Sequence, residues 1–139
     1  MAAERAFVDS SGWYALIDRR DAVHTRARSL LQQLLGDGGR VLTTDYVLDE
    51  SFTLARSRAG ALAARRLLDL VDQTAALDTE WVGPGRFATA RAIFRKHLDQ
   101  GYSFTDCVSF VVMEELRVAR ALTTDEHFRQ RGFEALLLG

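Results

Sequence analysis

The sequence is short of several features, and each shortage excludes a class of protein. It contains one cysteine, Cys107, so an internal disulfide framework is excluded and a reducing compartment, by default the cytoplasm, is expected. Its apolar runs are far shorter than the roughly 20 residues of a membrane-spanning helix. Residues 1–5 have no signal-peptide pattern, so no cleaved leader is expected. The 18 basic and 19 acidic residues leave a net charge of −1. Any nucleic-acid or membrane binding would therefore depend on local patches.

What the sequence does contain is an alternation of predicted strands and helices. Its 139 residues, 47% of them hydrophobic, are typical of one domain, which we expect to span residues 1–139. Short apolar runs predict strands near residues 6–8, 41–43, 77–82, 118–123 and 133–138, with helical periodicity between them. This order predicts an α/β fold, a three-layer α/β/α sandwich around a central, mainly parallel sheet of four to five strands.

The most apolar predicted helix follows Ser103. Residues 107–113 are apolar on nearly every side, which is typical of a helix enclosed by the rest of the protein. Asp106 lies in its first turn, where an ionised carboxylate needs a partner because burying a lone charge costs several kcal/mol. On the other helices the periodicity predicts inner faces that include Leu68, Phe87 and Leu98.

Three more acidic residues are predicted near the same place. Asp9 follows the first strand, Asp125 follows the fourth, and Glu50 lies on the helix after the second. Sites in open parallel sheets form at the carboxyl ends of the strands. The four acids meet there if the helix that carries Asp106 points its N-terminus at the same edge.

Glu50 also breaks the pattern of its own helix. It shares a face with Tyr46 and Leu54, where an apolar residue is expected. A functional carboxylate is one explanation, and an ion pair with Arg56 or Arg58 is the other.

Four clustered carboxylates favour a bound cation. Two unit charges 4 Å apart repel by roughly 4 kcal/mol at an effective dielectric of about 20, so the cluster stays ionised only if a cation shares it. Oxygen ligands with no evident neighbouring histidine or cysteine favour Mg²⁺ or Mn²⁺ over Zn²⁺. Such ions can activate water for phosphodiester cleavage and neutralise the leaving oxygen.

In this hypothesis Asp9 and Asp106 bind metal directly, while Glu50 and Asp125 hold metal-bound waters or a second ion. Flanking hydroxyl groups are expected to orient the carboxylates or a phosphate. These supporting residues are Ser10, Ser103, Thr105 and Thr124.

The segments that carry the four acids resemble, in order, the four motifs of PIN domains, including the VapC-type toxins. The segments are Phe7–Ser11, Val47–Glu50, Ser103–Cys107 and Leu122–Phe128. The resemblance covers essentially the whole chain. It implies a Mg²⁺- or Mn²⁺-dependent endoribonuclease acting on RNA, with those four acids as its acidic set, and often a homodimer.

The resemblance to VapC-type toxins also implies a cognate antitoxin. It would lay an apolar helix or strand across a groove near the acidic pocket. The candidate contacts are Trp13, Tyr14, Leu48 and Phe52.

Three of the acids also have a purely local explanation. Ser103 and Asp106 have the spacing of a capping box, in which each side chain bonds a free backbone N–H of the other. Asp9 and Asp125 can each be an ordinary N-cap. A PIN-like module that binds RNA or protein without nuclease activity is the alternative function. An aspartyl-phosphate enzyme fits poorly, because no second aspartate lies two residues after Asp9, and no nucleotide-binding glycine motif is present.

The remaining chemically active side chains show no site pattern. His24 and His97 are expected at the surface, and contact with substrate is the less favoured interpretation of His127, two residues after Asp125. Cys107 is expected to be a small core residue.

One basic helical face has two interpretations. Arg91, Arg95 and Lys96 lie on one side of their predicted helix. A solvated face is the usual meaning of such a pattern, and contact with RNA phosphates is the other.

Overall fold

A computed structural model describes residues 4–139 of the chain. Five strands form one sheet. In chain order they are β1 (Arg5–Val8), β2 (Arg40–Thr44), β3 (Leu77–Glu80), β4 (Arg120–Leu122) and β5 (Glu134–Ala135). All neighbouring pairs are parallel, and the spatial order is β3-β2-β1-β4-β5.

Helices connect and flank the strands. They are α1 (Ser10–Ile17), α2 (His24–Gly36), α3 (Asp45–Ala59), α4 (Ala61–Gln73), α5 (Gly83–Lys96), α6 (Phe104–Leu116) and α7 (Glu126–Gln130). Helices α1 to α4 pack against one another, and α5 packs along α6. The predicted α/β/α sandwich with a parallel sheet is confirmed. No helix in the described part is long and apolar enough to cross a membrane.

The register between β1 and β4 decides where the site forms. The two strands are neighbours, with Val8 opposite Leu122. Their next residues, Asp9 and Thr123, therefore leave the sheet side by side. After β1 the next strands, β2 and β3, are added on one side of β1, whereas β4 and β5 lie on its other side. The direction of strand addition therefore reverses at β1 and β4, and parallel sheets form a crevice at such a switch point.

Helix α1 starts close to the end of β4 because Gly12 has no side chain. A Cβ at this position would overlap with the carbonyl oxygen of Leu122 and lie 3.1 Å from a methyl carbon of Val8. The close approach brings the first turn of α1, and Asp9 before it, against the carboxyl end of β4.

Helix α6 has the predicted buried sequence and the predicted cap. Every residue from 107 to 113 is buried. The Ser103 hydroxyl accepts a hydrogen bond from the Asp106 N–H at 2.9 Å, and the Asp106 carboxylate accepts one from the Ser103 N–H at 3.1 Å. The capping box is therefore confirmed, and it fixes the start of the helix at the edge of the site.

Three residues predicted to be buried are exposed instead. Leu68 is 45% exposed because the inner face of α4 passes through Leu67, one residue and about 100° away. Phe87, at 42%, lies at the edge of α5. Leu98, at 65%, falls in the short 3₁₀ turn after α5, where helical periodicity no longer applies.

Helix α3 ends at Ala59, and Gly60 with a positive φ of 93° joins it to α4. Three strands are shorter than predicted. Strand β3 ends at Glu80, and β4 covers only Arg120–Leu122. The fifth strand covers only Glu134–Ala135 of the predicted run.

Candidate active site

The four acids predicted to meet do lie in one place. Asp9, Glu50, Asp106 and Asp125 all line a single pocket at the carboxyl edge of β1 and β4. Three of the four predicted supporting residues also line it, namely Ser10, Thr105 and Thr124. Ser103 does not line it, and within residues 4–139 its side chain makes only the capping hydrogen bond described above.

Asp9 is the most buried of these acids. Its side chain accepts hydrogen bonds from Thr123 Oγ1 at 2.7 Å, Ser11 Oγ at 2.8 Å and the Gly12 N–H at 2.9 Å. Burial raises the pKa of Asp9 to about 7, the three hydrogen bonds oppose that rise, and the charge of Asp125 adds to it. The carboxylate is held in a fixed orientation, but burial makes its ionised form unfavourable unless a cation compensates the charge.

Asp106 is perturbed in the same direction. Its pKa is raised by burial and then by the neighbouring charge of Asp125, while the Ser103 N–H and His127 lower it. Burial therefore raises the pKa of two acids of the pocket.

His127 lies between two of the carboxylates. Its Nδ1 is 3.2 Å from an oxygen of Asp106 and 3.2 Å from an oxygen of Asp125. The Asp125 side chain caps α7 by accepting the His127 N–H at 2.9 Å. This contact with two of the acids was not predicted. The only signal in the sequence is its spacing of two residues from Asp125, and the contact with Asp106 depends on the tertiary fold.

Glu50 differs from the other three acids because its side chain is exposed at the rim of the pocket. Within residues 4–139 neither Arg56 nor Arg58 lies within 4.0 Å of its carboxylate. The ion-pair explanation of Glu50 is therefore wrong.

The hydroxyl groups that hold Asp9 are not the ones predicted. Ser11 and Thr123 bond its carboxylate, and their own hydroxyl oxygens lie 3.2 Å apart. Thr123 Oγ1 also accepts the N–H of Asp125 at 2.9 Å, which ties two acids of the pocket together. These partners depend on the β1–β4 register, which the sequence does not show.

The pocket is also lined by residues that were not among the predicted site residues. Asp21 is one of them, and its carboxylate accepts the N–H of Val23 at 3.0 Å just before α2 begins. Tyr14 and Arg58 also line the pocket, with the Arg58 guanidinium 5.9 Å from the centre of the Tyr14 ring. The pocket therefore contains a fifth acid and one cation.

Cys107 and the other histidines lie outside this chemistry. Burial raises the pKa of the Cys107 thiol to about 11, so the predicted role as a small core residue is supported. His24 and His97 are half-buried rather than exposed. His24 Nδ1 lies 2.7 Å from the Ala15 carbonyl oxygen, and His97 packs near Tyr102.

The donor atoms of the pocket fit a divalent cation. One oxygen each from Asp106 and Asp125 and a ring nitrogen of His127 lie within 4.8 Å of one another. A cation would stabilise the ionised forms of Asp9 and Asp106, which burial alone disfavours. The expectation that no histidine lies near the acids is wrong. The carboxylates still outnumber the one imidazole, which keeps the donor set suited to hard cations.

Comparison with known proteins agrees with this geometry. The family model of the PIN domain matches residues 6–134. The 23S rRNA-specific endonuclease VapC20 of Mycobacterium tuberculosis is 33% identical over 132 residues, covering 91% of this chain and 94% of the relative. A VapC ribonuclease of Archaeoglobus fulgidus is 25% identical over 125 residues, covering 88% of this chain and 78% of the relative.

A solved structure shows the same architecture. The crystal structure of Mycobacterium tuberculosis VapC20, described as a sarcin-ricin loop cleaving toxin, superposes with a TM-score of 0.83 at 30% identity. The match covers 92% of this chain and 95% of the other. Fold, acidic pocket and homologues agree: the chain belongs to the PIN domain family and is a homologue of the VapC ribonucleases.

Proposed function

We propose that this chain is a metal-dependent endoribonuclease of the VapC type and the toxin of a toxin–antitoxin pair. The observation that carries the proposal is that four carboxylates from four separate segments line one pocket in a PIN domain. Relatives that match almost the whole chain are named as an rRNA-specific endonuclease and a ribonuclease, which supports ribonuclease activity in this chain. The proposed substrate is RNA, since a phosphodiester is what such a metal site cleaves.

In this proposal Asp9 and Asp106 bind the cation directly. Asp9 is held by three donors, and Asp106 is held by the capping box and by His127, so neither carboxylate has to be ordered when the ion arrives. Asp125, joined to Asp106 through His127, and Glu50, at the rim, hold coordinated waters or a second ion. When bound, the cation supplies Lewis acidity toward water and toward the phosphate.

The hydroxyl groups around the pocket complete the proposed site. Ser10, Thr105 and Thr124 are placed to orient a phosphate by hydrogen bonds, because all three line the pocket. Ser103 acts only through the helix that it caps. We propose Mg²⁺ or Mn²⁺ as the cofactor, with Mn²⁺ the better ion if the imidazole of His127 coordinates.

We also propose that the protein is cytoplasmic, that it forms a homodimer and that it binds an antitoxin. Of the predicted antitoxin contacts, Trp13 is wrong. It is fully buried, and its indole N–H donates to Thr43 Oγ1 at 3.2 Å. A better candidate is an apolar groove between α1, α2 and α4, bordered by arginines. Its apolar lining includes Leu16, Leu31, Leu35 and Leu70.

The activity is tested with a circular single-stranded RNA, which only an endonuclease can open. We expect linear products with Mg²⁺ or Mn²⁺ and none with EDTA, because the pocket repels a phosphate unless a cation is bound. Calorimetric titration should show that the purified protein binds the metal ion. Tight RNA binding with no metal binding and no cleavage would instead favour the non-catalytic RNA-binding module.

The pH dependence of stability provides a second test. Between about pH 4 and pH 7 native Asp9 keeps a proton that the unfolded chain has released. The free energy of unfolding of the metal-free protein should therefore fall as pH rises through this window, on the order of a few kcal/mol. Urea unfolding in EDTA measures this slope, and Asp9→Asn should flatten it.

Added Mn²⁺ competes with the proton, so its stabilising effect should grow as pH rises through about 7. An equal effect of Mn²⁺ at acidic and alkaline pH would contradict the assignment.

A further inference from the structure

The acidic pocket poses an electrostatic problem for a nuclease. The chain has a net charge of −1, and the proposed site is lined by carboxylates, which repel the phosphates of RNA. A metal ion compensates this repulsion only at the scissile phosphate. Binding to the flanking nucleotides therefore requires cations elsewhere on the surface, where they are not already neutralised by protein carboxylates.

Helix α5 has such a surface. Its sequence from Gly83 to Lys96 contains four cationic residues and no acidic one. Arg91, Arg95 and Lys96 are exposed, and none of them has a carboxylate within 4.0 Å in the described part of the chain. Arg86 on the same helix provides a contrast, because it is held at 3.0 Å by both Glu80 and Glu115. Helix α5 thus carries one arginine that is held in ion pairs and, among the described residues, three cationic side chains that have no carboxylate partner.

This surface is connected to the pocket by aromatic residues. Phe104, the first residue of α6, has its ring centre 5.1 Å from that of Phe87 and 5.7 Å from that of Phe94, both on α5. The next residue, Thr105, lines the acidic pocket. On the other side the Phe104 ring lies 6.3 Å from Tyr46 of α3, which borders a depression together with Thr105 and the exposed acid Glu50.

The groups along this surface are arranged in an order that suits the binding of a single-stranded nucleic acid. The acidic pocket comes first, then an aromatic cluster in which Phe87 is 42% exposed, then the basic face of α5. Exposed aromatic rings beside uncompensated cations are the combination that binds single strands with little sequence preference. Arg91 follows Phe87 by four residues and precedes Phe94 by three, so it lies beside the ridge that contacts Phe104.

We infer that Arg91, Arg95 and Lys96 of α5 bind the phosphates of the RNA strand next to the acidic pocket. The inference rests on the proposed ribonuclease function and adds the surface that holds its substrate. These side chains do not touch the reacting phosphate. They determine how tightly RNA binds, and they leave the rate of the chemical step unchanged.

The test compares two variants with the same change in net charge. One carries Arg91→Gln, Arg95→Gln and Lys96→Gln together. The control carries Arg26→Gln, Arg28→Gln and Arg65→Gln, three exposed arginines on α2 and α4 that form no ion pair in the described part. Binding of a labelled single-stranded RNA oligonucleotide is measured by fluorescence anisotropy in EDTA, where no cleavage occurs, at several salt concentrations.

We expect the α5 variant to bind RNA about tenfold more weakly or worse, and its salt dependence to flatten by about 2 in the log–log slope, since each lost phosphate contact removes about 0.7. The control should change far less. With Mn²⁺ and saturating RNA, the single-turnover cleavage rate of the α5 variant should equal that of the wild type.

The possible outcomes separate this inference from the proposed function. If the wild type binds RNA but does not cleave it, the ribonuclease proposal fails, whereas a binding defect confined to the α5 variant still supports the surface. Equal losses in both variants would show an effect of net charge alone and overturn the inference. Wild-type RNA binding by the α5 variant would also overturn it. If that variant in addition elutes as a smaller species in size-exclusion chromatography, the face binds a second copy of the chain instead.

Discussion

Replacing Asp106 with asparagine is expected to abolish RNA cleavage while leaving the metal-free protein folded. Loss of a group that merely positions a metal ligand costs roughly 10- to 100-fold, so loss of the ligand itself should cost more than about 100-fold. The amide oxygen of asparagine can still accept the Ser103 N–H, which keeps the capping box of α6. Removing the carboxylate also removes its repulsion with Asp125. The melting temperature in EDTA should therefore be preserved, and the stabilisation by Mn²⁺ should be lost.

Ser103→Ala is the matched control, since Ser103 lies three residues away and belongs to the same capping box. Loss of an N-cap hydroxyl costs about 1 kcal/mol of stability. Because Ser103 does not line the pocket, cleavage well below the melting temperature should stay within about twofold of wild type, as expected for a change outside the reacting groups. The assignment fails if Asp106→Asn cleaves at the wild-type rate. It also fails if folded Ser103→Ala loses as much activity as Asp106→Asn.

The largest effect on stability is expected for Gly12→Ala. The new methyl group would overlap with the backbone carbonyl oxygen of Leu122 and lie 3.0 Å from its carbonyl carbon. A backbone atom of a central strand cannot move aside as a flexible side chain can, so α1 has to shift. We expect a loss of more than about 3 kcal/mol, after allowing for the roughly 1 kcal/mol by which alanine favours a helix over glycine. Because the Gly12 N–H donates to Asp9, the shift should also weaken metal binding.

Urea unfolding of Gly12→Ala beside Gly36→Ala checks this prediction. Gly36 also lies in a helix, yet a Cβ there would have no neighbour within 4 Å. Gly36→Ala should be neutral or stabilising by up to about 1 kcal/mol. Similar unfolding midpoints for the two variants would show that α1 can adjust its distance from β4 without cost.

The predicted acids were found together for a reason that the sequence contains. Asp9 and Asp125 each follow an apolar strand, and parallel strands end at one edge, so their neighbourhood follows from the fold class. The position of Asp106 follows from its place in the first turn of α6, whose apolar sequence predicts a buried helix. The caps predicted as alternatives are also present, because the side chains of Asp9, Asp106 and Asp125 each accept a backbone N–H at a helix start. Capping and metal binding can use different oxygens or lone pairs, so they do not exclude each other.

The errors arose where periodicity was extended beyond its range. Leu98 continues the apolar spacing of α5, but the helix ends at Lys96, and the spacing then has no structural meaning. Phe87 has the correct spacing, but it lies at the edge of the helix packing, where it covers Phe104 and stays 42% exposed. A pattern of apolar residues shows which face of a helix is apolar, but it does not show how much of that face the neighbouring element covers.

The sequence by itself determined the fold class and the buried helix α6, and it predicted that four acids meet at one edge of the sheet, because these depend on local periodicity and on the general rule for parallel sheets. Only the tertiary structure decided what surrounds the acids. The β1–β4 register brings Thr123 to Asp9, and the docking of α7 brings His127 to Asp106. These contacts join residues 114 and 21 positions apart in the chain. No local spacing encodes them, since they arise only when the strands have aligned and the helices have packed.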